Sequence, residues 1–170
     1  MFAIRRYAED DTMRIGVLIA DTFGGFNLSA MNPEARQSML GPFAFVHSPR
    51  PEHRDAVANA ILAPSVWVAE RDSEIVGVLR GGRIDDKGRT VLSSLFVSGQ
   101  HHRQGIGRAL VEHFEQEYTA PGPMVFKLSS TLHAIPFYLS VGYRRSTGVR
   151  FTSSFGESGL PYQPMKKIIS

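Results

Sequence analysis

The sequence predicts a single α/β domain, residues 1–170, with a mixed, mostly antiparallel sheet flanked by helices. Three observations predict it. Apolar residues recur at helical spacing through the first third of the chain. From Ser65 the pattern becomes strand-like. A glycine-marked loop then joins a strand to an amphipathic helix, with no repeat, low-complexity tract or linker to divide the chain. At 170 residues the chain is long enough to bury a real core, and 42% hydrophobic and 21% charged residues suit a globular fold.

The elements follow in order. "FAIRRY" reads as a first strand. Asp10 or Asp11 is placed to cap a helix over "TMRIGVLIADTF", whose Ile15, Leu18, Ile19 and Phe23 share a face, and Gly24-Gly25 should stop it. Asn32-Pro33 starts a second helix that ends at Gly41-Pro42. "RDAVANAILA" is a third, closed by Pro64. "SVWVAERD" and "EIVGVLRGG" form a hairpin about Asp72-Ser73, and "DDKG" turns into the strand "RTVLSSLFV". A helix runs through "IGRALVEHFEQEY", "PGP" breaks it, and "MVFKLSS" is a fifth strand. "LHAIPFYLSV" is helical, with Gly142 as a left-handed stop. "RRSTGVRFTS" and "YQPMKKII" close the chain as an antiparallel pair.

Composition excludes several functions. With no cysteine there are no disulfides, thiolate nucleophiles or thiolate metal sites. The histidines have no metal-ligand spacing, and no G-x-S-x-G elbow is present. A net charge of +3 is spread along the chain, which argues against a nucleic-acid partner. Charges interrupt "MFAIRRYAEDD" where a secretory leader would be apolar, and no run reaches the ~20 residues of a membrane span, so no membrane partner and a cytoplasmic protein are expected.

The chemistry concentrates in "HHRQGIGRAL". A dinucleotide fingerprint needs a third glycine where Leu110 stands, and no Walker A sequence occurs. What fits is a helix N-terminus whose free amides face a pyrophosphate. Gly105 and Gly107 would keep the backbone bare, with Arg103 and Arg108 at the rim. The loop "HRQGIG" after "LFV" resembles the cofactor motif Q/R-x-x-G-x-G/A of the GNAT superfamily of acyl-CoA-dependent N-acetyltransferases, with His102 in place of Gln or Arg. The resemblance implies the acyl-CoA N-acyltransferase fold and acetyl-CoA as co-substrate. It implies that Leu95, Phe96 and Val97 face the acetyl and pantetheine part. The amides of Arg103, Gln104, Gly105, Ile106, Gly107 and Arg108 would hold the pyrophosphate.

A second stretch extends the resemblance. In N-x-x-A-x-x-F/L-Y-x-x-x-G-F/Y, Ala134, Phe137, Tyr138, Gly142 and Tyr143 fall into place, and Thr131 replaces the asparagine that contacts pantetheine. Pro136 requires that its position lie in a helix's first turn. The family assigns the matching tyrosine, here Tyr138, the role of general acid toward the leaving thiolate. The chemistry suits it, since a phenol of pKa ~10 can donate to a thiolate of pKa ~8.5. The two motifs and the strand order cover about the C-terminal two-thirds. The first third, which shapes the acceptor pocket in this family, matches by element order alone.

Some members carry a glutamate on the fifth strand to deprotonate the amine, but "MVFKLSS" has no carboxylate. Water-mediated deprotonation, Glu70, His133 and His47 are the alternatives. His113 and Trp67 read as core residues. Phe23, Phe26, Phe43 and Phe45 are candidates for an acceptor pocket of apolar or aromatic character. The expected activity is direct acetyl transfer to an amine, of a small molecule or a protein, in a ternary complex. The alternative is a non-catalytic CoA-binding sensor of the same fold. The edge potential of "YQPMKKII" is compatible with a homodimer.

Overall fold

Strand β1 (Ala3–Arg6) leads through a short 3-10 turn into α1 (Thr12–Thr22), which buries Ile15, Leu18 and Ile19. The computed structural model describes residues 1–151 and 159–170. Asp11 holds the N-cap position without capping. Its backbone is already helical, and its carboxylate instead accepts from Arg5 Nη1 at 2.6 Å, Arg14 Nη2 at 2.6 Å and the Ala8 amide at 2.9 Å. Gly24-Gly25 do not stop the helix. The chain continues through Phe23–Asn27 in a widened turn, closed by the Leu28 amide on the Phe23 carbonyl at 3.1 Å. Residues without side chains allow that widening without clashes.

Helix α2 (Pro33–Leu40) begins as expected, with Asn32 Oδ1 accepting from the Ala35 amide at 2.8 Å. Helix α3 (Pro51–Ile61) starts at Pro51 rather than Arg54, because proline at the first helical position needs no hydrogen-bonded amide. Strands β2 (Ser65–Arg71) and β3 (Glu74–Ile84) form the expected hairpin. Asp72 and Ser73 both take positive φ, 50° and 66°, which matches the twist of the two strands. Strand β4 (Thr90–Val97), helix α4 (Ile106–Glu117) and strand β5 (Met124–Thr131) follow.

The last helix departs from its expected start. Leu132–Ala134 is a 3-10 turn, and α5 (Ile135–Ser140) holds Pro136 in its first turn, where no amide is missed. Strands β6 (Arg144–Arg145) and β7 (Arg150–Phe151) both pair antiparallel with β8 (Pro161–Ile169). The expected continuation through Thr152 and Ser153 lies outside the described residues.

The sheet order is β1-β2-β3-β4-β5-β8-β6, with β7 also on β8. The fold class is therefore as expected: one mixed sheet in which, among the described residues, only β4 and β5 run parallel. One expectation is corrected. β8 is not an edge strand, since β5 occupies one side and β6 and β7 the other. The open edge of "YQPMKKII" is thereby reduced to the outer side of Lys167–Ile169, which pairs with no described strand. No helix among the described residues is long and apolar enough to cross a membrane.

Two apolar layers flank the sheet. On one face α4 and α5 bury Ile106, Leu110, Phe114, Ile135 and Tyr138 against Leu79, Leu92 and Phe126. On the other, α1 and α3 bury Ile15, Ile19, Val57 and Ile61 against Val66, Val68 and Val78. Helices α1 and α3 pack on the β2–β4 side. On the same face, Ser129 of β5 and Lys166 and Ile168 of β8 are exposed, and among the described residues no helix packs its apolar side on this half of the sheet.

The ladder between β4 and β5 registers only at Thr90↔Phe126 and Val91↔Lys127. Beyond those pairs the strands part, and a bulge at Ser93, skipped between Arg80↔Ser94 and Gly81↔Leu92, bends β4 away. The paired end is pinned. Lys127 Nζ meets Asp85 at 2.6 Å, and the same carboxylate accepts from Arg89 Nε and the Lys87 and Arg89 amides at 2.9–3.0 Å. These donors hold the Asp85 carboxyl far below the usual carboxylate range. A lowered folded-state pKa adds stability that is complete above the unfolded value of ~3.9 and is lost as pH falls below it. Asp85→Asn should therefore melt below wild type at pH 7, with the difference shrinking at pH 3. Thermal melts at the two pH values check this, and equal differences would contradict it.

Candidate functional site

The gap between β4 and β5 is built from the sequence's own alternation. The Ser98 amide donates to the Val76 carbonyl at 2.9 Å. In an antiparallel ladder bonded residues alternate, so the amides of Phe96 and Ser94 also face β3, while Leu95 and Val97 turn their backbone groups toward the gap. This refines the expectation for the strand end. Leu95 and Val97 offer backbone to a ligand in the gap, and Phe96 offers its side chain, which lies edge-on to Phe23 at 6.1 Å on the α1 face.

The loop after β4 enters α4 in an unusual conformation. Arg103 has φ 62° and Gly105, the N-cap residue, φ 82°. Alternating left- and right-handed residues point successive amides to one side, which is the geometry of an anion-binding nest. The first bond of the helix is the Ala109 amide on the Gly105 carbonyl at 3.0 Å. The amides of residues 103 to 108 donate to no acceptor among the described residues. Six adjacent free donors at a helix N-terminus, beside an open strand edge, fit a pyrophosphate joined to an extended arm.

Tyr138 lies on α5, the helix that follows β5. Its ring is 7% exposed and lies in the same apolar cluster as Leu95 and Val97, edge-on to Phe137 at 5.1 Å and Tyr143 at 5.8 Å. Among the described residues its hydroxyl has no hydrogen-bond partner, yet it is not sealed off by protein. Burial raises its pKa well above the ordinary phenol range, so the hydroxyl stays protonated at neutral pH.

A family model for the acetyltransferase (GNAT) domain matches residues 46–169. The chain belongs to the GNAT acetyltransferase family. Rat N-acetyltransferase 8F1 is 37% identical over 102 residues, which cover 54% of this chain and 44% of that protein. Human N-acetyltransferase 8 is 35% identical over 92 residues, covering 50% and 40%. The matched stretches thus span less than half the length of these curated relatives. Among solved structures, a GCN5-related N-acetyltransferase from Rhodopseudomonas palustris superposes with a TM-score of 0.74 at 16% identity, over 98% of this chain and 95% of that one. The PaiA N-acetyltransferase of Thermoplasma acidophilum, solved with coenzyme A, gives 0.71 at 16% identity over 99% of each chain. At these identities the likeness is one of fold.

In this GNAT domain the motif residues divide their tasks. Gly105 has open space where a Cβ would sit. Gly107 does not. A Cβ there would come within 3.1 Å of the Phe137 ring, so Gly107 is bare to seat α5 against α4 rather than to admit a phosphate. His102 Nε2 lies 2.9 Å from the Val97 carbonyl. A carbonyl only accepts, so this nitrogen carries a proton and ties the loop to the strand end. Arg108 Nη2 donates to the Ser140 carbonyl at 3.2 Å, which turns it toward α5. Gln104 accepts from Arg71 Nη1 at 2.8 Å, and Arg103 is exposed. Thr131 stands at the end of β5 and caps nothing with its hydroxyl.

The candidate bases scatter. Glu70 is held by Arg5, with Nε at 2.9 Å, on the β1–β2 side. His133 and His47 are exposed on separate elements. His113 bonds the Ala109 carbonyl at 2.8 Å and meets Trp67 edge-on, as a half-buried structural residue. Trp67 Nε1 in turn donates to Glu117 at 2.8 Å. No group of described residues could hold a metal. Of the four phenylalanines, Phe23 meets Phe96 and Phe26 lies over His102 with ring centroids 5.3 Å apart. Phe43 packs on the α1–α3 core, and Phe45 stacks on His53.

One residue of the site had no motif to announce it. Arg80 lies mid-strand in β3, opposite Ser94, mostly buried on the α1–α3 face. The signal available was a lone cation inside the apolar run "EIVGVLRGG".

Gly105→Glu should abolish binding of coenzyme A. It would place a carboxylate among six donors meant for an anion and force a side chain into φ 82°. Calorimetry with coenzyme A checks it, and retained affinity would remove the nest from the site.

Proposed function

We propose that this protein is an acetyl-CoA-dependent N-acetyltransferase that passes acetyl directly to an amine within a ternary complex. The observation that carries the reading is the run of amides at residues 103 to 108 that have no partner among the described residues, at the end of a strand whose Leu95 and Val97 share an apolar cluster with Tyr138. Acetyl-CoA supplies the activated thioester. The amides bind its pyrophosphate, and the backbone of Leu95 and Val97 orients the arm and the acetyl group.

The Val97 amide is the donor best placed for the developing oxyanion. The Phe96 amide, the other strand-end candidate, is committed to the β3 ladder. Tyr138 gives its proton, or a hydrogen bond, to the departing sulfur. Its raised pKa keeps the hydroxyl protonated, as a hydrogen-bond donor to the sulfur must be, and makes it useless as a resting base. Residues 124 to 131 of β5 include no carboxylate, so the amine's proton leaves through water. With no cysteine in the chain, no cysteinyl-acyl intermediate can form. The first third of the chain, with Phe23 and Phe26, supplies the acceptor side.

Tyr138→Phe should lower kcat by on the order of 10²-fold or more while leaving coenzyme A affinity unchanged. Thiol release against a mixed amine panel, beside calorimetry, checks both. Coenzyme A binding with no turnover on any amine would favour the non-catalytic sensor instead.

A further inference from the structure

The fold gathers cations that the sequence scatters. Registered neighbours in a sheet share a face. On the α1–α3 face beside the gap, Lys127 pairs with Lys166, Lys166 with Arg144, and Arg150 with Tyr162, itself opposite Thr131. Lys166, Arg144 and Arg150 are exposed and make no ion pair among the described residues. The one carboxylate reaching this group, Asp85, is shared by Lys127 and Arg89.

Arg80 extends the same charge inward. Its Nε donates to Ser94 Oγ at 2.9 Å and its Nη1 to the Ala60 carbonyl at the end of α3. Both acceptors are neutral. Among the described residues no carboxylate lies within ion-pair reach, although burial works against the charge. Among the described residues Nη2 has no hydrogen-bond partner, and the side chain is only partly buried. A partly buried guanidinium held by two neutral acceptors, with one edge free, is a built receptor for an anion. It sits opposite Ser94, on the strand whose end forms the gap and on the face away from α4 and its amide nest. It therefore cannot serve the pyrophosphate.

Resting on the acetyltransferase reading, we propose that the acceptor is a small amine that carries a carboxylate, and that Arg80 binds this carboxylate on the α1–α3 face beside the gap between β4 and β5. Lys166, Arg144 and Arg150 provide the attracting field at its mouth. Depth argues for a small molecule, since Arg80 lies on the third strand and Nη1 reaches under α3.

The test compares matched acceptors: amino acids of varied side chain, each against its own amide, and an acidic peptide, all with acetyl-CoA. The acids should exceed their amides in kcat/KM by about ten- to a hundredfold. Arg80→Met should collapse that ratio toward one through KM, and Arg80→Lys should restore part of it. A merely structural arginine would lower both substrates alike and leave the ratio intact, which overturns the proposal. Lys166→Glu with Arg150→Glu, on exposed positions, should reduce the preference and its salt dependence without loss of fold. Preference for amides, or for the peptide, overturns this proposal while leaving the acetyltransferase reading standing. Coenzyme A binding with no turnover on any acceptor overturns both.

Discussion

The site depends on a ladder that is allowed to fail. β4 and β5, parallel neighbours in the sheet, share two registered pairs and then separate. A parallel pair that continued would satisfy the backbone of Leu95 and Val97 and leave nothing to offer a ligand. Two features hold the strands in this state. At the closed end the Asp85 carboxylate collects Lys127, Arg89 and two amides. At the open end the Ser93 bulge turns β4 aside, and His102 bonds the Val97 carbonyl. One end is pinned and the other is kept apart, so the open edge belongs to the folded architecture.

Around that gap the two faces of the sheet take separate duties. The α4–α5 face carries the amide nest and Tyr138, joined where the Phe137 ring fills the space left by Gly107. The α1–α3 face carries Phe23, Phe96, Ser94 and Arg80. On the proposed function, two substrates would therefore approach one thioester carbonyl from opposite sides. Such a layout favours direct transfer, because neither substrate must leave before the other binds.

Much of this was legible in the sequence where local rules decide. Asn32-Pro33, the Asp72-Ser73 turn and the α4 stripe of Ile106, Leu110 and Phe114 all appear where their residues demand. The nest was legible too, because free amides follow from a helix start and need no particular side chain. Long-range pairing was harder to read. "YQPMKKII" has the composition of an edge strand, and only the return of the chain between β5 and β6 makes it interior. Gly24-Gly25 have the composition of a stop, yet glycines also permit a widened turn. The cationic face was invisible for the same reason: Lys127, Arg144, Arg150 and Lys166 become neighbours only through register. Arg80 stands in an apolar strand without a motif, and its two neutral partners, Ser94 and Ala60, are distant in the sequence.

The interior position of β8 has a consequence for how the domain comes together. Strands β1 to β4 form a run of sequential neighbours, with short connections between β2, β3 and β4, so this half can assemble early from local contacts. The other half waits for its centre, because β6 and β7 have no partner until β8 arrives between them and β5. During synthesis the outer edge of β5 therefore stays uncovered until the last strand has emerged. In that interval the half-built sheet is the form most open to wrong pairing and to capture by chaperones.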